Sequence, residues 1–232
     1  PLSWKKVYSD KFQKSRLRIS NSFDTKVGAI ASWIRYGEIR SSYISCQPWN
    51  ANKLVERIND LKTLSRIKSP IDFLPKLIKI CAECGVAVVV SKTPAGCPAS
   101  GVVLQLGETK SMMLLSFRYL SDDQFWFTFF HEVGHLIMHQ NREIFIEEAT
   151  SEINEEEIEA NIFAGEALIP TPLRLELKTL KKDKKSIVKF AIKAGVSPGI
   201  VIGQMQHEKI IPFSYLNGYK RRYNWGEITS IS

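Results

Sequence analysis

The chain has 232 residues, 44% of them hydrophobic, enough to fill one large core or two small ones. No apolar run approaches the roughly 18 residues of a helical membrane span and no signal-peptide pattern opens the chain, so a membrane role is not expected and a cytoplasmic setting is. The net charge of +8 permits contact with nucleic acid, but the basic clusters Lys178 to Lys185 and Lys220 to Arg222 read equally well as a solvated surface.

The chain opens on Pro1 rather than Met, as a fragment or a processed product would. Residues 1–50 are irregular in pattern, with a helix expected around Thr25 to Tyr36 and a Ser-rich stretch from Ser41 to Pro48. Leu54, Val55, Ile58, Leu61 and Leu64 are spaced as one amphipathic helix over 52–67. Ser69-Pro70 is a helix start, and Gly85 is the matching stop. Cys81 and Cys84 form a lone C-x-x-C inside that helix; with no second pair for a zinc ribbon, they read as buried thiols. Three strands follow, at Val86 to Val90, Gly101 to Leu106 and Met112 to Leu115. Ser121-Asp122-Asp123-Gln124 has the form of a capping box and opens a helix that reaches about His139. A second helix is expected from about Asn154 to Ile169, stopped by Pro170, and the remainder is helical with an aromatic, basic tail. The expected class is α+β, a small sheet packed on a pair of central helices with helical N- and C-terminal parts.

The first central helix contains His131-Glu132-Val133-Gly134-His135. Four residues make about one helical turn, so the two imidazoles share a face and reach one zinc ion. Glu132 points beside the metal, as suits a base that takes a proton from water there. Phe125, Trp126, Phe127, Phe129 and Phe130 surround the helix with apolar side chains. A helix buried in this way cannot cheaply hold two His and a Glu without a partner, and a metal supplies one.

Catalytic zinc uses three protein ligands, so a third is required. Glu155, Glu156, Glu157 and Glu159 compete. At about 100° per residue, Ile153, Ala160, Asn161, Ala164 and Leu168 fall within roughly 60° of Glu157, whereas Glu155, Glu159 and Glu166 fall on the opposite, solvent-facing side. Glu157 is therefore the expected ligand and Glu156 the second choice. Asn161, one turn on, is placed to accept the second N–H of His131 or His135. His139 would sit about 12 Å along the axis from His131, too far to share the ion, and is expected at the helix C-terminus, where a cation is favourable.

The segments His131 to His139 and Glu157-Ile158-Glu159-Ala160-Asn161-Ile162-Phe163-Ala164, followed by Leu168-Ile169-Pro170, resemble the ImmA/IrrE family of metallopeptidases over about residues 50–210. The resemblance implies a gluzincin-like zincin fold for residues 51–232, Zn2+ as cofactor, and Glu157 as the family's third ligand. It also implies a protein substrate, a DNA-binding repressor or toxin–antitoxin partner, cut at few sites. In fused members a helix-turn-helix precedes such a domain. Residues 1–50 would then be a linker or small subdomain after a DNA-binding part that lies before Pro1. The alternative is a non-proteolytic sensing or oligomerising half of an antitoxin-type regulator, although Glu132 has no purpose in a pure binding fold. Gly165-Glu166-Ala167 departs from the family's Ala/Leu-rich run. Residues 187–207 have a helix-turn-helix outline, but the second helix offers only Gln204, Gln206 and His207 to a groove, so a packing role is preferred. The tail offers His207, Tyr215, Tyr219 and Arg221 as oxyanion donors, with nothing to choose among them. Gln140 to Ser151 is expected as a mobile, Glu-rich rim between the two ligand helices.

Overall fold

A computed structural model describes residues 24–139, 145–146 and 155–229. Helix α1 (Asp24–Ser42) is followed by α2 (Ala51–Glu56), α3 (Ile58–Leu64) and α4 (Pro70–Glu83). The continuous helix expected over 52–67 is thus broken. The Arg57 N–H bonds to the Leu54 and Val55 carbonyls, closing one helix, while Arg57 is also the N-terminal cap position of the next. Apolar spacing reports a face and carries no mark of a one-residue break along it. At the end of α4, Gly85 takes a left-handed φ of +90°, and a Cβ there would collide with the Trp49 backbone. Cys81 and Cys84 are buried and unoxidised, and burial pushes the Cys81 thiol well above its usual range.

Strands β1 (Val86–Val90), β2 (Gly101–Gln105), β3 (Ser111–Leu115) and β4 (Phe145–Ile146) form one sheet in the order β1-β3-β2-β4. β1 runs parallel to β3, and the other two pairings are antiparallel. β4 falls in the stretch expected as a rim. Its two residues pair with Val102 and Val103, and two residues are too few to leave a period of two in the sequence. The rest of that rim, and residues 1–23, lie outside the described residues.

Both faces of the sheet are covered, which is why its strands are apolar without alternation. One face presents Val86, Val88, Val103, Met113 and Leu115 to the main core. The other presents Val89, Val102, Leu104, Met112 and Leu114 to Ile30, Ala31, Trp33 and Ile34 of α1. Gly37 lets α1 come close, since a Cβ there would lie 2.8 Å from Leu114 Cδ2. Trp33 donates its indole N–H to Ser91 Oγ at 2.8 Å, and Lys110 caps the end of α1 by donating to the carbonyls of Ser41 and Ile44.

The central helix α5 (Asp122–Met138) lies under the main-core face, against α6 (Glu155–Leu168) and, near its start, a helix pair formed by α8 (Lys184–Ala194) and α9 (Pro198–His207). α7 (Thr171–Leu177) links α6 to that pair. Ser121 takes the extended backbone of a cap, but its hydroxyl makes no capping bond, so the expected capping box is not formed. The start of α5 is held by the tail instead. Asp122 accepts from Ser197 Oγ and the Arg221 N–H, and Lys220 bonds both Asp123 and Gln206 at 2.6 Å. α8 and α9 are bent by 100° as in a helix-turn-helix, yet Ile200, Val201, Ile202, Gln204, Met205 and Gln206 of the second helix are buried, which leaves no reading face. A short 3-10 turn (Asn217–Tyr219) and α10 (Trp225–Thr229) end the described chain. No single described helix is long and apolar enough to cross a membrane.

Candidate metal centre

His131 and His135 project from one face of α5, with Nε2 atoms 2.9 Å apart and both residues buried. Glu157, on the first turn of α6, meets them. Its Oε2 lies 3.3 Å from His131 Nε2 and its Oε1 lies 3.3 Å from His135 Nε2. The three ligand atoms converge within 4.8 Å of one another, a grouping that could hold a metal ion. The meeting depends on close packing of the helices: a Cβ on Gly134 would lie 3.2 Å from Ala160 Cα and 3.2 Å from Phe163 Cδ1. Ala160, Ala164 and Leu168 are buried on that seam, as the helical phase predicts; Ile153 lies outside the described residues.

The electrostatics suit a cation. Burial alone would raise the Glu157 carboxyl, but hydrogen bonding to His131 and His135 outweighs it and holds the group down at about 2. Burial pushes His135 below the usual imidazole range, only partly opposed by Glu157, and the neighbouring His131 lowers it further. An ionised carboxylate and a neutral imidazole are the protonation states that metal ligation requires.

Glu132 is 2% exposed and its side chain lies over Gly101, the first residue of β2. A Cβ on Gly101 would overlap Glu132 Oε1 and lie 2.7 Å from Cγ and 2.8 Å from Cδ. The sequence reading did not single out Gly101. A glycine at a strand start is a signal of close approach, but the approaching group comes from a helix 31 residues on and carries no local mark.

Of the two histidines, it is His131 that Asn161 faces, with Oδ1 3.1 Å from His131 Nδ1. His139 is the C-terminal cap residue of α5, and its backbone N–H bonds to the His135 carbonyl at 3.0 Å. Its Nδ1 lies 3.1 Å from His135 Nδ1 and its Nε2 lies 2.8 Å from Glu159 Oε2. Glu159 is 58% exposed, as its phase suggested, and still reaches His139. The helical wheel fixes the direction of Cα–Cβ, whereas a Glu side chain is long enough to bend back to a partner on another helix. Glu156 lies outside the converging group.

Of the four tail candidates, Arg221 donates to the carbonyls of Ser65, Arg66 and Ile67, and the Tyr219 ring lies under Lys184. The Tyr215 carbonyl accepts from Gln206. The His207 ring lies tilted 6.3 Å from that of Phe127, which in turn lies tilted 6.4 Å from that of His131, so one ring separates His207 from the centre.

No curated protein matches the chain. Residues 89–202, which include β2, β3, both helices of the centre and most of the α8–α9 pair, match the family Peptidase_M78, described as an IrrE N-terminal-like domain. The domain at residues 89–202 therefore belongs to the ImmA/IrrE family of peptidases, a metallopeptidase-type domain.

Proposed function

We propose that the protein is a zinc-dependent endopeptidase of restricted specificity, and that its substrate is a DNA-binding regulator, either a repressor or a toxin–antitoxin partner. The observation that carries this reading is the convergence of His131, His135 and Glu157, with Glu132, the residue after His131, buried against Gly101. Tetrahedral zinc ligands at about 2.0–2.1 Å stand about 3.3 Å from one another. The separations of 2.9 and 3.3 Å among His131, His135 and Glu157 are close to that spacing, so the three suit three corners of such a site. When bound, zinc supplies Lewis acidity toward water and toward the scissile carbonyl. Glu132 accepts the proton of the attacking water and hands it to the departing amine. Asn161 holds His131 in the tautomer whose Nε2 lone pair faces the centre. Buried ligands suit one extended segment rather than general digestion, and the family is the ground for naming a DNA-binding protein as the source of that segment.

The test has two parts. Elemental analysis of purified protein is expected to give one zinc per chain, lost in His131→Ala, His135→Ala and Glu157→Ala and kept in Glu132→Gln. Equal metal content in all of them would remove the site. The zinc-loaded protein is then incubated with casein and, separately, with the DNA-binding proteins encoded beside it. Cleavage of one regulator at few positions, absent in Glu132→Gln, is expected. Rapid casein digestion at many positions would refute restricted specificity, and no cleavage of either by the zinc-loaded protein would favour a binding-only regulator.

A further inference from the structure

We infer that His139 and Glu159 are positioning residues that form a proton-ordered relay behind His135, an inference that rests on the reading of His131, His135 and Glu157 as a metal centre. A ligating imidazole uses one nitrogen on the metal and carries its proton on the other. His135 Nε2 faces Glu157 and His131, so its proton is on Nδ1. The neighbour of Nδ1 is His139 Nδ1 at 3.1 Å, which must then accept and be bare of hydrogen. The proton of His139 is left on Nε2, where Glu159 Oε2 accepts it at 2.8 Å. Among the described contacts, this arrangement satisfies all three groups with neutral imidazoles. It runs in one direction: His135 Nδ1–H to His139 Nδ1, and His139 Nε2–H to Glu159.

The geometry has the features of a built brace. The His139 side chain is 6% exposed although it caps a helix end, because it lies between His135 and Glu159. The helix stops after Met138, and His139 leaves it at φ −120° and ψ 45° with its N–H still bonded to His135. Each histidine of the centre thus has its own acceptor on α6 or backed by α6: Asn161 for His131 directly, and Glu159 for His135 through His139. The carboxylate at the far end accepts from His139 Nε2 at 2.8 Å and so makes His139 Nδ1 a better acceptor than that of a lone imidazole. The relay also accounts for a third histidine one turn beyond the motif that stands too far along the helix to join the ion.

The experiment measures zinc affinity by competition with a chromogenic chelator for the wild type, His139→Phe, His139→Gln, Glu159→Leu and Glu159→Gln. Metal-free thermal unfolding of each reports on the fold. His139→Phe is expected to weaken zinc binding about 10- to 100-fold, the range seen when outer-shell partners are lost. His139→Gln and Glu159→Gln, which retain an acceptor oxygen, are expected to recover much of that loss. Glu159→Leu added to His139→Phe is expected to cost nothing further, since the relay is already cut. Nitrogen-15 NMR of the zinc-loaded wild type is expected to place the His139 proton on Nε2, and this readout does not depend on any variant folding. A proton on His139 Nδ1, or His139→Phe binding zinc as tightly as the wild type, overturns the relay and leaves the metal centre intact. A wild type that binds no zinc, or a His135→Ala that binds it normally, overturns both.

Discussion

Gly101 has no side chain, and the Glu132 carboxylate occupies the space that one would fill. Gly101→Ala forces the carboxylate aside without touching His131, His135 or Glu157. The expected outcome is loss of peptide cleavage with zinc content unchanged, checked by elemental analysis beside a cleavage assay. Loss of zinc as well would mean that Glu132 and the three ligands move as one unit. The residues with a positional signature in the chain are the ones that sequence reasoning reaches. His131 and His135 are one turn apart, Glu157 and Asn161 are one turn apart, and each pair announces a shared face. Gly101 and the Glu159 end of the relay are not legible in this way. Each acts on a group from another element, and a helical wheel does not see across the gap.

Between α5 and α6 the decisive quantity is the distance of approach, set by Gly134 against Ala160 and Phe163. An Ala at 134 asks these neighbours to give by a few tenths of an ångström, and a larger side chain cannot be housed. Gly134→Leu is expected to lose about 1–3 kcal/mol of stability from overpacking. It is also expected to lose zinc, because Glu157 is carried away from the histidines. Metal-free thermal unfolding and chelator competition read the two effects separately. Retained zinc affinity in a destabilised protein would show that the helices part elsewhere along the seam. The existence of these helices is plain from apolar periodicity, and that of β1, β2 and β3 from β-branched and apolar runs. The break at Arg57 is not legible, because it turns on local backbone bonds to Leu54 and Val55 that leave the apolar spacing intact, and the two-residue β4 is not, because it exists only by pairing with β2.

At the scale of the molecule, α1 is part of the core, although it precedes the family segment at 89–202. Trp33 is fully buried against the outer face of the sheet and bonded to Ser91. Trp33→Ala is expected to cost about 3–5 kcal/mol, as large buried aromatics do. Denaturant unfolding followed by far-ultraviolet circular dichroism measures it, and a cost below about 1 kcal/mol would mean that α1 contributes little to the fold. The C-terminal tail is tied as firmly. Lys220 and Asp123 are paired at 9% and 4% side-chain exposure, and Arg221 caps the carbonyls after α3. These tail bonds have a consequence for the order in which the chain becomes organised. Lys220–Asp123 and Arg221–Asp122 close loops of 97 and 99 residues, whereas His131–Asn161 closes one of 30. The longer closure costs roughly 1 kcal/mol more in chain entropy, and on the ribosome its residues emerge after those of α5 and α6. The α5–α6 hairpin is therefore expected to assemble first, with the tail locking onto it afterwards. In refolding followed by pulsed hydrogen exchange, amides of α5 and α6 gain protection ahead of those around 217–223. His131, His135 and Glu157 are thus expected to converge while the start of α5 still lacks its tail partners.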